Sequence, residues 1–207
     1  SIINRFIAEL RDVSIQNDRA RFRRNLERIG EIAAYEISKT LPYHTKDFTT
    51  PLGVAPMDVP SEQPVVATIL RAGLPLHQGV LNYFDHADNA FISAYRKHHK
   101  DGSFEISLEY VASPSLDGRI VILTDPMLAT GGTLVAAINF LIERGADDIT
   151  AICILSAPEG IKVLEDAFAK SGVPITLVTG ALDEKLNEHG YIVPGLGDAG
   201  DRLYGVV

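Results

Sequence analysis

The chain has 207 residues, 46% of them hydrophobic, with a single cysteine and a formal net charge of −8. That length and apolar content suit one folded domain, and no apolar run is long enough to suggest a membrane span. One cysteine excludes intrachain disulfides and cysteine-based zinc sites, and the acidic balance argues against a broad nucleic-acid-binding face, whose affinity would need clustered Lys and Arg.

The opening stretch SIINRFIAELRD is too charged, and its apolar run too short, for a secretory signal, and it lacks an initiating Met. A cytoplasmic protein is therefore expected, with residues ahead of Ser1 either removed or not included in this chain. A single domain over 1–207 is expected, with a helical segment over about 1–42 packing on it. Phe22, Leu26, Ile29 and Ala33 recur at helical spacing beside Arg19, Arg21, Arg23 and Arg24. These arginines read as the wet face of an amphipathic helix ending near Leu41 and Pro42.

Val65, Val66, Ala67 and Thr68 predict a buried strand that runs into ILRAGLP, leaving Arg71 and Gly73 at its carboxyl end. Ala90 to Tyr95 predict a second strand, followed by Arg96 and the basic run RKHHK with His98 and His99, read as a solvated turn. The histidines show no HExxH or comparable ligand spacing. Phe104, Ile106, Leu108 and Tyr110 alternate with polar residues, the pattern of a half-exposed antiparallel strand, so a projecting hairpin with 90–95 is expected.

The stretch VILTDPMLATGGT, Val121 to Thr133, carries the most chemistry. Its apolar start predicts a strand buried on both faces, ending at Asp125. Ala129, Thr130, Gly131, Gly132 and Thr133 are small or hydroxylated, so backbone N–H groups can close around an anion, and Leu134, Ala137, Ile138 and Leu141 then predict a helix whose positive end faces that anion. Gly145 reads as its stop. A carboxylate beside an anion nest is contradictory unless it addresses another part of the same ligand; ribose hydroxyls beside a 5′-phosphate resolve the conflict. The plain alternative is a strand-to-helix turn capped by Asp125.

From Asp147 onward strand, helix and strand recur at Ile149–Leu155, Ile161–Phe168 and Ile175–Val178, with Cys153 reading as a buried apolar residue. The tail GYIVPGLGDAGDR contains Gly195, Gly197 and Gly200 in a GxGxxG spacing, but a dinucleotide fingerprint needs a following helix and an acid roughly twenty residues on. Read physically, it is a turn-rich segment with unobstructed backbone that can read a flat, uncharged base. A tail that only caps the sheet is the alternative. Taken alone, Arg71 and Arg96 are ordinary charged residues at strand ends, but loops after parallel strands gather at one crevice.

DPMLATGGT resembles the phosphoribosyl-diphosphate (PRPP) loop of type I phosphoribosyltransferases, in the form found in uracil phosphoribosyltransferases, and GYIVPGLGDAGDR resembles their base-binding segment. Pro126 matches the uracil enzymes, while Thr133 replaces their usual serine and keeps its hydroxyl. The resemblance, from about Arg11 to Val207, implies an α/β fold: a parallel sheet flanked by helices, a projecting β-hairpin arm and a C-terminal base-binding hood. It implies transfer of phosphoribose from PRPP to uracil. PRPP would meet Arg71, Arg96, Asp125, Pro126, Met127, Leu128, Ala129, Thr130, Gly131, Gly132, Thr133 and Asp198; uracil would meet Ile192, Gly197, Asp198 and Ala199. Asp125, Asp198 and Arg71 would be catalytic. Mg²⁺ would arrive with PRPP and not in a protein cage, and a homodimer or higher homo-oligomer is implied, with neither nucleic acid nor membrane as partner. Activation by GTP occurs in some resembling enzymes. A transferase for another base, or a PRPP- or UMP-sensing regulator on the same fold, are the alternatives; the regulator would need a basic face.

Overall fold

The computed structural model describes residues 1–98 and 104–206, with the side chains of 96–98, 104 and 105 outside that description. In chain order it contains α1 (Ile3–Arg11), α2 (Arg19–Ser38), β1 (Tyr43–Thr50), β2 (Gly53–Pro60), β3 (Val65–Leu70), α3 (Leu74–Leu81), β4 (Asp88–His98), β5 (Phe104–Ala112) and β6 (Ile120–Thr124). Then follow β7 (Met127–Leu128), α4 (Gly132–Glu143), β8 (Asp148–Ser156), α5 (Pro158–Phe168), β9 (Ile175–Leu182), β10 (Lys185–Leu186), β11 (Ile192–Val193) and α6 (Ala199–Tyr204).

The main sheet runs β5-β4-β3-β6-β8, with β7 and β9 also paired to β8, and every pairing is parallel except β4 with β5. Alternation along the strands divides the core. Val66, Ile122, Ile152 and Ile154 face α1, α2 and α3 through Ile7, Leu10, Phe22, Leu26, Leu76 and Val80. Val65, Ala67, Val121, Leu123, Ala151 and Cys153 face α4 and α5 through Leu134, Ala137, Ile138, Leu141 and Leu164. Period-two side-chain placement makes an apolar run of this kind serve two cores at once, which is why these strands read as continuous rather than alternating. α2 begins where the Asp18 side chain accepts the Arg21 N–H at 3.0 Å, and it ends at Ser38, a turn before the expected Leu41. Arg19, Arg21 and Arg24 are exposed as expected, whereas Arg23 is half-buried and donates to the Leu203 carbonyl at 2.9 Å.

Three departures from the sequence reading stand out. β1 and β2 form a separate two-stranded hairpin between Pro42 and β3, where no element is expected, and β1 is exposed along its whole length. β4 does not stop at Tyr95: antiparallel pairing with β5 carries it through Arg96, which stands opposite Ile106, to His98. Arg96 therefore lies inside a strand of the projecting arm and not in a loop after it. His98 is the last residue of that strand, and His99, with the rest of the expected turn, lies outside the described residues. The tail is also more ordered than turn-rich composition suggests, since 199–204 coil into α6 with Leu203 buried. No described helix is long and apolar enough to cross a membrane.

Candidate active site

Asp125 sits at a break in a strand line. β6 pairs with β8 as far as Thr124 opposite Ile152, and β7 resumes opposite Leu155 and Ser156. Between them the Asp125 N–H donates to the Ile152 carbonyl at 3.1 Å, and the Pro126 carbonyl accepts from Ile154 N–H at 2.8 Å. This interruption at the carboxyl end of the sheet leaves the Asp125 side chain lining a cavity of about 250 Å³, with Ile69, Leu70, Ala72 and Ala94 across from Met127 to Gly131 and Thr133. The residue keeps some solvent contact through that cavity, yet protein crowds the carboxyl group so closely that desolvation pushes its pKa up to about 7, the Met127 backbone hydrogen bond pulling the other way.

The loop after Asp125 is shaped for close approach. Gly131 adopts φ of +86°, a conformation that favours glycine, and it precedes the first turn of α4 with no side chain capping the helix. The amides of that turn are unclaimed by any side-chain cap and point out of the helix end, the arrangement that receives a phosphate. The loop is braced from behind by α5, where a Cβ on Gly160 would overlap the Ala129 carbonyl. Over its front lies the arm, with Ile106 of β5 about 3.5 Å from where a Cβ on Gly132 would stand.

A second cavity, of about 280 Å³, is lined by His189, Gly190, Tyr191, Ile192, Gly197, Asp198 and Ala199. It shares Met127 and Ala129 with the first, so the two cavities adjoin across the loop and the structure brings Asp125 and Asp198 to one region. Asp198 is exposed and caps α6, its Oδ1 accepting the Asp201 N–H at 3.0 Å. Its carboxylate thus has a structural duty that the sequence does not reveal. Another cavity, of about 290 Å³, lies near Glu36, Ile120 and Asp148, at the amino ends of β6 and β8, the wrong end of a parallel sheet for ligand chemistry.

Arg71 follows β3 directly and is exposed, with its guanidinium 5.6 Å from the centre of the Tyr204 ring. Its neighbours Leu70 and Ala72 line the Asp125 cavity, although Arg71 itself does not. Ala94 of β4 is the arm's contribution there, two residues before Arg96. Among the described residues no group of three or more His, Cys, Asp or Glu is arranged to hold a metal ion.

Cys153 is 1% exposed, on the sheet face toward α4 and α5. Its thiol is pushed well above its ordinary range, by burial first and by the charge of Asp125 second. A buried thiol held protonated is a poor nucleophile. Cys153 is expected to resist a thiol-reactive disulfide reagent until denaturant is added, and Cys153→Ser to retain turnover while losing about 1–2 kcal/mol in urea unfolding, the cost of an unpaired buried hydroxyl.

A model of the uracil phosphoribosyltransferase family matches residues 1–206. A uracil phosphoribosyltransferase of Porphyromonas gingivalis is 48% identical over 206 residues, covering 99% of this chain and 94% of the relative. The chain belongs to the uracil phosphoribosyltransferase family. A second relative of that name, from Streptomyces avermitilis, is 45% identical over 92% of this chain and 89% of its own length. A solved structure of an Aquifex aeolicus protein superposes with a TM-score of 0.87 at 33% identity, covering 99% of this chain and 95% of that one. A purine phosphoribosyltransferase from Pyrococcus horikoshii shares the fold alone, with a TM-score of 0.50 at 18% identity over 77% of this chain and 84% of the other. Asp125 and its loop were legible in the sequence. The brace at Gly160 and the ion pair between Arg11 and Asp183 carry no local sequence signal.

Proposed function

We propose that this chain transfers the phosphoribosyl group of PRPP to uracil, giving UMP and diphosphate, as one catalytic domain over 1–207. The observation that carries this reading is the pair of adjoining cavities sharing Met127 and Ala129: one has a carboxylate and uncapped helix amides, the other is formed around glycine-rich backbone. A sugar phosphate suits the first and a flat, uncharged base the second, with the anomeric carbon at their junction.

In this reading Asp125 accepts hydrogen bonds from the ribose hydroxyls, and backbone groups from Pro126 to Thr133 cradle the 5′-phosphate. Arg71 and Arg96 receive the departing diphosphate, for which the guanidinium fork is well shaped. Backbone around Ile192 and Gly197–Ala199 grips the base, and Asp198 lies between base and PRPP. The bond from the anomeric carbon to diphosphate breaks as the bond to the base nitrogen forms, and the proton on that nitrogen leaves to the departing diphosphate or to water, so the protein's task is positioning and electrostatic stabilisation of charge developing on the ribose ring. A site with one carboxylate in the sugar cavity fits Mg²⁺ carried by ligand oxygens and water, which supplies charge neutralisation on the diphosphate when bound. Asp125 would orient the sugar end of that assembly.

A cytoplasmic homo-oligomer is part of the same reading. The β1–β2 hairpin supports the homo-oligomer: an isolated hairpin gains little stability alone, and this one exposes Phe48, Leu52, Val54 and Met57.

The deciding experiment incubates the protein with PRPP, Mg²⁺ and uracil, orotate, adenine or hypoxanthine in separate reactions. UMP from uracil, with no nucleotide from the others, is expected. Turnover of orotate or a purine without uracil rejects the assignment.

A further inference from the structure

The segment lining the second cavity is fastened by groups that do not line it. Asp183 lies between β9 and β10 with its side chain 5% exposed, and its two oxygens accept from Arg11 Nη1 at 2.9 Å and Nη2 at 2.6 Å. The same carboxylate accepts the Gly195 N–H at 2.9 Å, while Arg11 Nη1 also donates to the Gly195 carbonyl at 3.2 Å. One residue further, buried Gln16 donates its Nε2 to the carbonyls of Leu196 at 3.1 Å and Leu10 at 2.9 Å. Gly195 is gripped at both amide and carbonyl, and Leu196 at its carbonyl, immediately before Gly197, Asp198 and Ala199 enter the cavity.

Base recognition by main chain has a specific weakness. A side chain can re-aim by changing rotamer, but a backbone group goes wherever its segment is held. A bidentate Arg–carboxylate pair fixes orientation as well as distance, so it is suited to hold a turn at one height above the sheet. We infer that Arg11, Asp183 and Gln16 are positioning residues for base recognition, joining α1 and the turn after it to the segment that reads the base. The inference rests on the second cavity being the uracil site.

The test uses the full chain with Asp183→Asn, Arg11→Lys and Gln16→Leu. Steady-state kinetics with each substrate varied is paired with amide hydrogen exchange. KM for uracil is expected to rise about tenfold while kcat and KM for PRPP move less than about twofold, because uniform ground-state binding of only one substrate is lost. Exchange at 195–199 is expected to speed up, with the sheet unaffected. A merely structural role lowers the folded fraction and hence apparent kcat, and leaves the uracil KM where it was. If Asp183→Asn does not fold, Arg11→Lys retains a charge on the pair and gives the same readout. An unmoved uracil KM, a parallel rise in both KM values, or unchanged exchange at 195–199 overturns the inference. Failure of the wild-type protein to turn over uracil rejects the functional reading itself, whereas an active wild type with unmoved variants rejects only the anchoring.

Discussion

Asp125→Asn is expected to make the protein more stable and nearly useless. The carboxyl group titrates near 3.8 when free and at about 7 in the fold, where burial opposes its charge. Between those values the folded state holds a proton that the unfolded chain has released, so rising pH favours unfolding across that window and the cost is constant above about 7. Three pKa units correspond to about 4 kcal/mol as an upper bound. Relaxation around a group with some solvent contact reduces this to about 2 kcal/mol in urea unfolding at pH 8, with wild type and variant converging toward pH 4. Function moves the opposite way. Hydrogen bonds to a charged acceptor contribute about 1.5–3 kcal/mol each, so loss of a carboxylate serving two hydroxyls is expected to lower kcat/KM for PRPP by about 10²–10³-fold. In the wild type kcat/KM should climb as pH passes 7 and the carboxylate forms, and the variant should lose that rise. Wild-type kinetics in Asp125→Asn would remove the ribose role.

The second large effect is expected at Gly160, which contacts no proposed ligand. Helix propensity alone favours Gly160→Ala by up to about 1 kcal/mol. The packing argues otherwise: the new Cβ would overlap the Ala129 carbonyl and stand 3.0 Å from Leu128 Cδ1, and a backbone carbonyl cannot rotate aside as a long side chain can. Overpacking of this kind costs about 1–3 kcal/mol, so sterics win over propensity. Either α5 retreats or the loop after Asp125 shifts, and positional shifts on the order of 1 Å can cost about 10²-fold in rate. Kinetics and urea unfolding of Gly160→Ala check this together. A variant both stabilised and fully active would show that α5 does not hold the loop.

The central strands were legible because burial on both faces demands a continuous apolar run, and 65–68, 121–123 and 149–155 supply it. Asp125 was legible as the first charge after such a run, and β5 from its alternation. The β1–β2 hairpin was not, because YHTKDFTT buries neither face and so carries no hydrophobic period. The length of β4 was hidden by charge: Arg96 and its neighbours look like a turn until the partner strand is seen to pair with them. α6 was masked by glycines whose turn signal competes with the capping of Asp198. The Arg11–Asp183 pair spans 172 residues, and no local pattern reports contacts at that distance.

Those long spans also impose an order of assembly. The cavity at Asp125 draws Leu70 and Ala94 from strands ahead of β6 as well as the loop after it, whereas the segment leading into the second cavity is tied to Arg11 and Gln16 across 184 and 180 residues. Closing loops of that size is slow relative to local folding. In a chain made from its N-terminus neither contact can form until residues 195 and 196 have been added, so the turn leading into the second cavity is among the last parts to be fastened.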